Sequence, residues 1–150
     1  MADTPELELR EITKDNLGSV LRLKVAPEQE HFVASNAVSI AQAHYADDAW
    51  FRGAFVGDTP VGFVMLSLEP DKSEYWLWRL MVGADHQRQG HGRAILRAAI
   101  EHVRGLPGAK ELLLSHVPGE GNPSPLYLSM GFAYTGEEDD GELVMRLALD

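Results

Sequence analysis

Cysteine is absent from the 150 residues, which rules out disulfides, zinc–thiolate centres and a thiol nucleophile. No apolar run approaches the roughly 20 residues that span a bilayer, and the opening MADTPELELR lacks the basic segment and apolar stretch of an export signal. A soluble, cytoplasmic protein with no membrane partner is the expectation. Positive charge is scarce as well: 13 lysines and arginines stand against 23 acids, for a net charge of −10. That balance argues against a nucleic-acid partner, because phosphates are held by lysine and arginine. The six histidines have no ligand-like spacing and no GxSxG elbow is present, so neither a metal nor a serine triad is expected. Repeats and long linkers are missing too. A 45% hydrophobic chain of this length suits one domain, residues 1–150, around a single core.

What is present is a regular alternation of patterns. Leu7 to Ile12 alternates apolar and polar like a half-buried strand. A short helix follows, capped near Thr13 or Asp15 and burying Leu17, Val20 and Leu21. Residues 24–34 have no period and read as a loop, after which Ser35 caps a helix reaching Tyr45. Trp50–Val56 and Val61–Leu68 flank Gly57-Asp58-Thr59-Pro60 as a hairpin. Tyr75–Val82, YWLWRLMV, is nearly all apolar and predicts a central strand covered on both faces. A helix from Gly92 to about Arg104 places Leu96, Ala99, Ile100 and Val103 on one face, and Gly105-Leu106-Pro107-Gly108 stops it. A strand at Glu111–His116, a short helix at Pro123–Met130 and a final hairpin from Phe132 complete the chain. The order β-α-α-β-β-β-α-β-α-β-β predicts an α/β or α+β sandwich.

Between the central strand and the long helix lies QRQGHG, residues 87–92. A helix N-terminus offers unpaired N–H groups and the positive end of the helix dipole, and glycines at 90 and 92 let an anion approach the backbone. The segment from Tyr75 to Ile100 carries Arg79, Arg88, Arg93 and Arg97 against Asp85 alone, a basic island in an acidic chain. An anion-binding loop is the reading. It is not a Walker loop, since no lysine follows Gly92, and not a dinucleotide fingerprint, since Ile95 occupies the third small position.

Gln87-x-x-Gly90-x-Gly92 after an apolar strand resembles the acetyl-CoA pyrophosphate loop of the GNAT acetyltransferase superfamily. Asn122-x-x-x-x-Tyr127-x-x-x-Gly131-Phe132 resembles that superfamily's second signature, about 30 residues downstream. LKVAPEQEHFVASNAVSIAQA (23–43) and YWLWRLMV are further similar to bacterial spermine/spermidine acetyltransferases within it. The resemblance implies a mostly antiparallel mixed sheet of about seven strands flanked by about four helices. It implies acetyl-CoA as cosubstrate, with no metal, and a small-molecule amine as partner, polycationic if the narrower likeness holds. Many members dimerise, so a homodimer is an implication of the resemblance and not of the residues.

Site residues follow from the same resemblance. The backbone of Leu80, Met81 and Val82 would bind the pantetheine arm as an added strand, at a bulge where the sheet splays. Gln87, Arg88, Gln89, Gly90, His91, Gly92 and Arg93 would hold the pyrophosphate, with Asn122 fixing the pantetheine or capping the helix after Pro123. Tyr127 is the expected general acid, because a phenol of pKa about 10 can protonate a departing thiolate whose thiol pKa is about 8.5. A base is harder to find. An ammonium of pKa about 10.4 costs roughly 4.6 kcal/mol to deprotonate at pH 7. Many members carry a central-strand glutamate where this chain has Trp76 or Trp78, so the base stays unassigned, with Glu74 sharing their parity. Glu28, Glu30, Asp47 and Asp48 could dock ammonium groups, and Phe32, Trp76 and Trp78 could offer cation–π faces. The run Glu137 to Asp140 reads as an exposed hairpin tip. Two rivals stay open: an acetyltransferase for another amine (an aminoglycoside, an amino acid or a protein N-terminus), and a CoA-binding sensor without turnover.

Overall fold

In the computed structural model, which describes residues 6–149, seven strands form one sheet in the order β1-β2-β3-β4-β5-β7-β6. The strands are β1 (Leu7–Arg10), β2 (Ala49–Val56), β3 (Thr59–Glu69), β4 (Glu74–Val82), β5 (Glu111–His116), β6 (Ala133–Asp139) and β7 (Glu142–Ala148). Four helices cover it: α1 (Leu17–Leu21), α2 (Asn36–His44), α3 (His91–Arg104) and α4 (Ser124–Ser129). Every pairing is antiparallel except β4 with β5. This is the mixed, mostly antiparallel α/β sheet the sequence leads one to expect, in the expected element order.

Each face of the sheet has its own core. On one side Ile95, Leu96, Ala99, Ile100 and Val103 of α3 pack with Leu66, Leu77, Leu112, Leu114 and Met145. The four apolar positions read from the sequence are all buried there, with Ile95 added. On the other side Val20 of α1 and Ala43 of α2 pack with Phe55, Phe63, Met65 and Met81. The Ser35 hydroxyl accepts from the Val38 N–H at 3.2 Å, which satisfies one N-terminal donor of α2. Buried Tyr75 donates its hydroxyl to the Pro107 carbonyl and so fastens the α3–β5 turn to β4.

Two local expectations are corrected. Helix α1 starts at Leu17 with Asn16 as its N-cap, next to Asp15 and away from Thr13, because Asn16 folds the preceding residues into a turn of their own. Its Oδ1 accepts from the Thr13 N–H at 2.7 Å and its Nδ2 donates to the Glu11 carbonyl at 3.1 Å. The loop at 24–34 contains a 3-10 turn, Pro27–Gln29. A third feature, the bulge expected in the central strand from the family resemblance, positions the site. Strand β4 does not run unbroken: Leu77 pairs with Leu66 and Arg79 with Met65, so Trp78 is an extra residue, a β-bulge. The bulge switches the alternation. Before it Tyr75 and Leu77 face the α3 core, and after it Leu80 and Val82 do. Trp78 and Met81 face the α1–α2 side.

Candidate functional site

Strands β4 and β5 pair only at Trp76 with Leu113 and Leu77 with Leu114. Past the Trp78 bulge they diverge, and a cavity of about 640 Å³ opens between them. From Arg79 to Val82, β4 has β3 along one edge and the cavity along the other. An extended ligand can therefore bond to the open edge as a strand would. Leu80, Met81 and Val82 all line the cavity.

One end of the cavity presents backbone donors without partners among the described residues. After β4, a 3-10 turn (Ala84–His86) leads through Arg88, at φ 63°, to Gly90, at φ 83°. Gly90 is the N-cap of α3, and no side chain caps the helix there. No acidic residue occupies the first turn of α3 either. The opening N–H groups of a 14-residue helix thus face a cavity lined by Arg88, Gly90, His91 and Gly92. At Gly92 a Cβ would make only ordinary contacts, 3.4 Å from Leu126 and 3.7 Å from Val82, so the packing itself does not demand a glycine there. The Gln87 carboxamide is occupied within the protein, donating to the Gln29 Oε1 at 2.8 Å and the Val82 carbonyl at 3.0 Å. Gln89 is exposed and does not line the cavity. Arg93 points the other way, donating to Ser129 Oγ at 2.8 Å and contacting the Met130 sulfur at 3.4 Å.

Across from the loop, α4 supplies Tyr127. Its ring packs edge-on to Phe132 with centroids 5.9 Å apart, and the side chain is 7% exposed. The phenol lines the cavity and has no hydrogen bond to another described residue. Burial pushes its pKa up to about 12. Asn122, also on the lining, accepts from the Ser124 N–H at 2.8 Å and donates to the Gly119 carbonyl at 2.6 Å. Its amide holds the start of α4, the capping alternative of the sequence reading.

The third wall carries aromatics and acids. Glu30, Phe32 and Trp78 line the cavity, joined by Arg79, Ser115, His116 and Glu142. Glu28 is exposed outside it, and Trp76 donates to Glu74 at 3.1 Å near the opposite end of β4, outside the lining as well. Asp47 and Asp48 border a separate shallow concavity with Tyr45, Glu69, Asp71 and Lys72. Burial lowers the Arg79 pKa, and the Glu142 carboxylate opposes that effect.

A family model described as Acetyltransferase (GNAT) family matches residues 9–132. The chain belongs to the GNAT acetyltransferase family. Among curated proteins, a spermine/spermidine N(1)-acetyltransferase of Bacillus subtilis is 30% identical over 149 residues, covering 93% of this chain and 96% of its own. Among solved structures, an acetyltransferase from Thermus thermophilus superposes with a TM-score of 0.77 at 21% identity, over 99% of this chain and 100% of that one. The PaiA N-acetyltransferase of Thermoplasma acidophilum, in complex with coenzyme A, gives 0.65 at 18% identity, over 95% and 99%.

For this GNAT acetyltransferase, the sequence reading and the cavity overlap on the β4 edge, the loop, Asn122, Tyr127, Glu30, Phe32 and Trp78. Sequence reasoning missed His116 and Glu142. The first ends an alternating strand whose Leu112 and Leu114 are buried, so it could have been placed inside. The second is brought in only by the β5–β7 register, which pairs Ser115 with Val144 and His116 with Leu143.

Proposed function

We propose that this acetyltransferase moves the acetyl group of acetyl-CoA directly onto a primary amine of a polyamine such as spermidine or spermine. One observation carries the reading. A single cavity joins a capless helix N-terminus at one end to two carboxylates, Glu30 and Glu142, and two aromatic faces, Phe32 and Trp78, at the other. The first end suits a pyrophosphate, the second an ammonium. The 30% identical relative named for spermine and spermidine supports the choice of amine.

In this reading the α3 N–H groups and Arg88 take the pyrophosphate, and the open edge at Leu80–Val82 takes the pantetheine arm. Tyr127 donates a proton to sulfur as the C–S bond breaks. Its raised pKa keeps the phenol protonated across the working range, as a donor requires. Phe32 and Trp78 receive the cationic chain of the acceptor.

The amine is tested with kcat/KM values for spermine, spermidine, butylamine, an aminoglycoside and a peptide, at low and high salt. Each ammonium–carboxylate contact adds about 0.2–1 kcal/mol, and more where water is excluded. Spermidine should therefore exceed butylamine by about ten- to a hundredfold. Part of that margin should fade as the screening length falls from about 10 Å at 0.1 M salt to about 3 Å at 1 M. A peptide leading the series, or spermidine no better than butylamine, removes the polyamine.

A further inference from the structure

We propose that Glu142, from β7, receives the reacting ammonium and takes its first proton, the task for which β4 supplies no acid. This rests on the amine-acetylation reading. Glu142 is half-buried and lines the cavity beside Leu77, Ser115 and His116, where β4 and β5 part. The Ser115 hydroxyl donates to its Oε1 at 3.1 Å, which fixes the carboxylate and leaves Oε2 for a ligand. None of the ion pairs among the described residues includes Glu142. Arg79, the cation on β4 that feels it, commits Nη1 to the Trp78 carbonyl at 3.1 Å and Nη2 to Gln42 at 3.0 Å. The carboxylate is aimed by Ser115 and lies within electrostatic reach of Arg79 without forming an ion pair with it.

The other candidates are placed elsewhere or occupied. Glu74 bonds to Trp76 outside the cavity, Glu28 is outside it, and Glu30 lies exposed on its rim. His116 cannot serve as the base while its partners hold. Its Nδ1 lies 3.0 Å from the Val117 carbonyl, an acceptor only, so that nitrogen carries the proton. Nε2, 2.9 Å from the Tyr134 hydroxyl, then accepts from it. Both ring nitrogens are used.

The proton count closes. The ammonium gives one proton to Glu142 Oε2, and the freed nitrogen attacks the thioester carbon. As the N–C bond forms and the C–S bond breaks, sulfur takes the Tyr127 proton. The nitrogen's second proton returns to Tyr127, and Glu142 passes the first to solvent, so each transfer releases one proton.

Glu142→Gln keeps the Ser115 bond and removes the base. With spermidine at pH 7.5, kcat/KM should fall at least thirtyfold while the Kd for acetyl-CoA stays within twofold. The deficit should narrow as pH rises toward 10, where more of the amine is already neutral. A fluorinated ethylamine, neutral at pH 7.5, should be acetylated by variant and wild type within threefold. The titratable and charged groups around the site are Arg79 on β4, His116 on β5, Tyr127 on α4, Tyr134 and Asp139 on β6, of which Asp139 is the cross-strand partner of Glu142, and Glu30, His31, His86, Arg88 and His91 elsewhere along the cavity; all are retained in the variant. A threefold or smaller effect on spermidine, or a deficit equal at every pH and for both amines, overturns the proposal. If Glu142→Gln does not fold, Ser115→Ala should show a smaller loss with the same pH dependence, and a pH-independent loss overturns it equally. A wild type that binds acetyl-CoA but acetylates no amine overturns the amine reading itself, and this inference with it.

Discussion

Gln87 and Val82 are joined by a 3.0 Å hydrogen bond that folds the glycine loop back onto the end of β4. The same carboxamide reaches Gln29, so three segments that border the cavity share one side chain. Gln87→Ala should loosen the loop without touching Tyr127. Two partly buried hydrogen bonds at about 1 kcal/mol each predict a three- to thirtyfold weaker acetyl-CoA complex with kcat within threefold. Calorimetry and steady-state kinetics on the one variant check both halves.

Gly90→Val acts differently. A Cβ at Gly90 would meet nothing within 4 Å, so the protein itself offers no clash. The obstacle is φ 83°, a left-handed conformation that costs a branched residue about 1–2 kcal/mol. With a side chain also standing where an anion would approach, acetyl-CoA affinity should drop at least tenfold, about 1.4 kcal/mol. Unchanged affinity would put the anion site elsewhere.

Tyr127→Phe should lower kcat by about a hundredfold or more, with acetyl-CoA affinity within a few fold, because the proton is needed only as sulfur departs. Stability gives a second readout. The folded phenol pKa of about 12 lies above the unfolded value near 10, so the unfolded state loses its proton first as pH rises. Stability is intact below pH 10 and declines through pH 12, by about 2–3 kcal/mol. The phenylalanine variant should lack that part of the alkaline decline. Denaturant melts at pH 9 and pH 11.5 measure the difference.

Gly62→Ala tests the packing behind the cavity. Gly62 pairs with Val82, and an added Cβ would lie 2.6 Å from the Met81 carbonyl oxygen and 2.7 Å from Ile95. Backbone must move, since a carbonyl in a paired strand cannot swing aside. A loss of about 1–3 kcal/mol is expected from overpacking, seen as a lower midpoint in urea. A midpoint equal to wild type would mean β3 and β4 separate more easily than their pairing implies.

The order of strands and helices was legible because hydrophobic period and turn residues are local signals. Ser35, the α3 stripe and the Gly57-Asp58 turn each announce themselves within a few residues. A bulge in β4 was expected from the resemblance alone; its place at Trp78 was not legible in YWLWRLMV, because a strand apolar on both faces shows no alternation for an extra residue to break. Glu74 shares a face with Trp78 but lies at the first residue of β4, too far along the strand to reach the cavity that Trp78 lines. At the loop the motif located the right segment but not the duties within it. Gln87 and Arg93 spend their donors on the protein, a matter of which atoms happen to lie within 3 Å. Glu142 was hidden by distance along the chain, 27 residues from the serine that aims it.

The two-residue contact between β4 and β5 also has a consequence for how the chain assembles. Strands β2, β3 and β4 follow one another as neighbours, each closed by a short connection, whereas β5 meets β4 only after the whole of α3 intervenes. Loop closure favours the β2–β4 meander first, so the β4–β5 seam should close after it, together with the α3 core that packs against both sides. Native-state amide exchange should show the seam at Leu113 and Leu114 opening at lower free energy than Val64 and Met65 in the middle of β3. The cavity thus straddles that boundary: Ser115, His116 and Glu142 line it from the late-joining strands, whereas Trp78 to Val82 line it from the meander, so a substitution at Ser115 or Glu142 should cost the β2–β4 unit less stability than one at Leu80 or Met81.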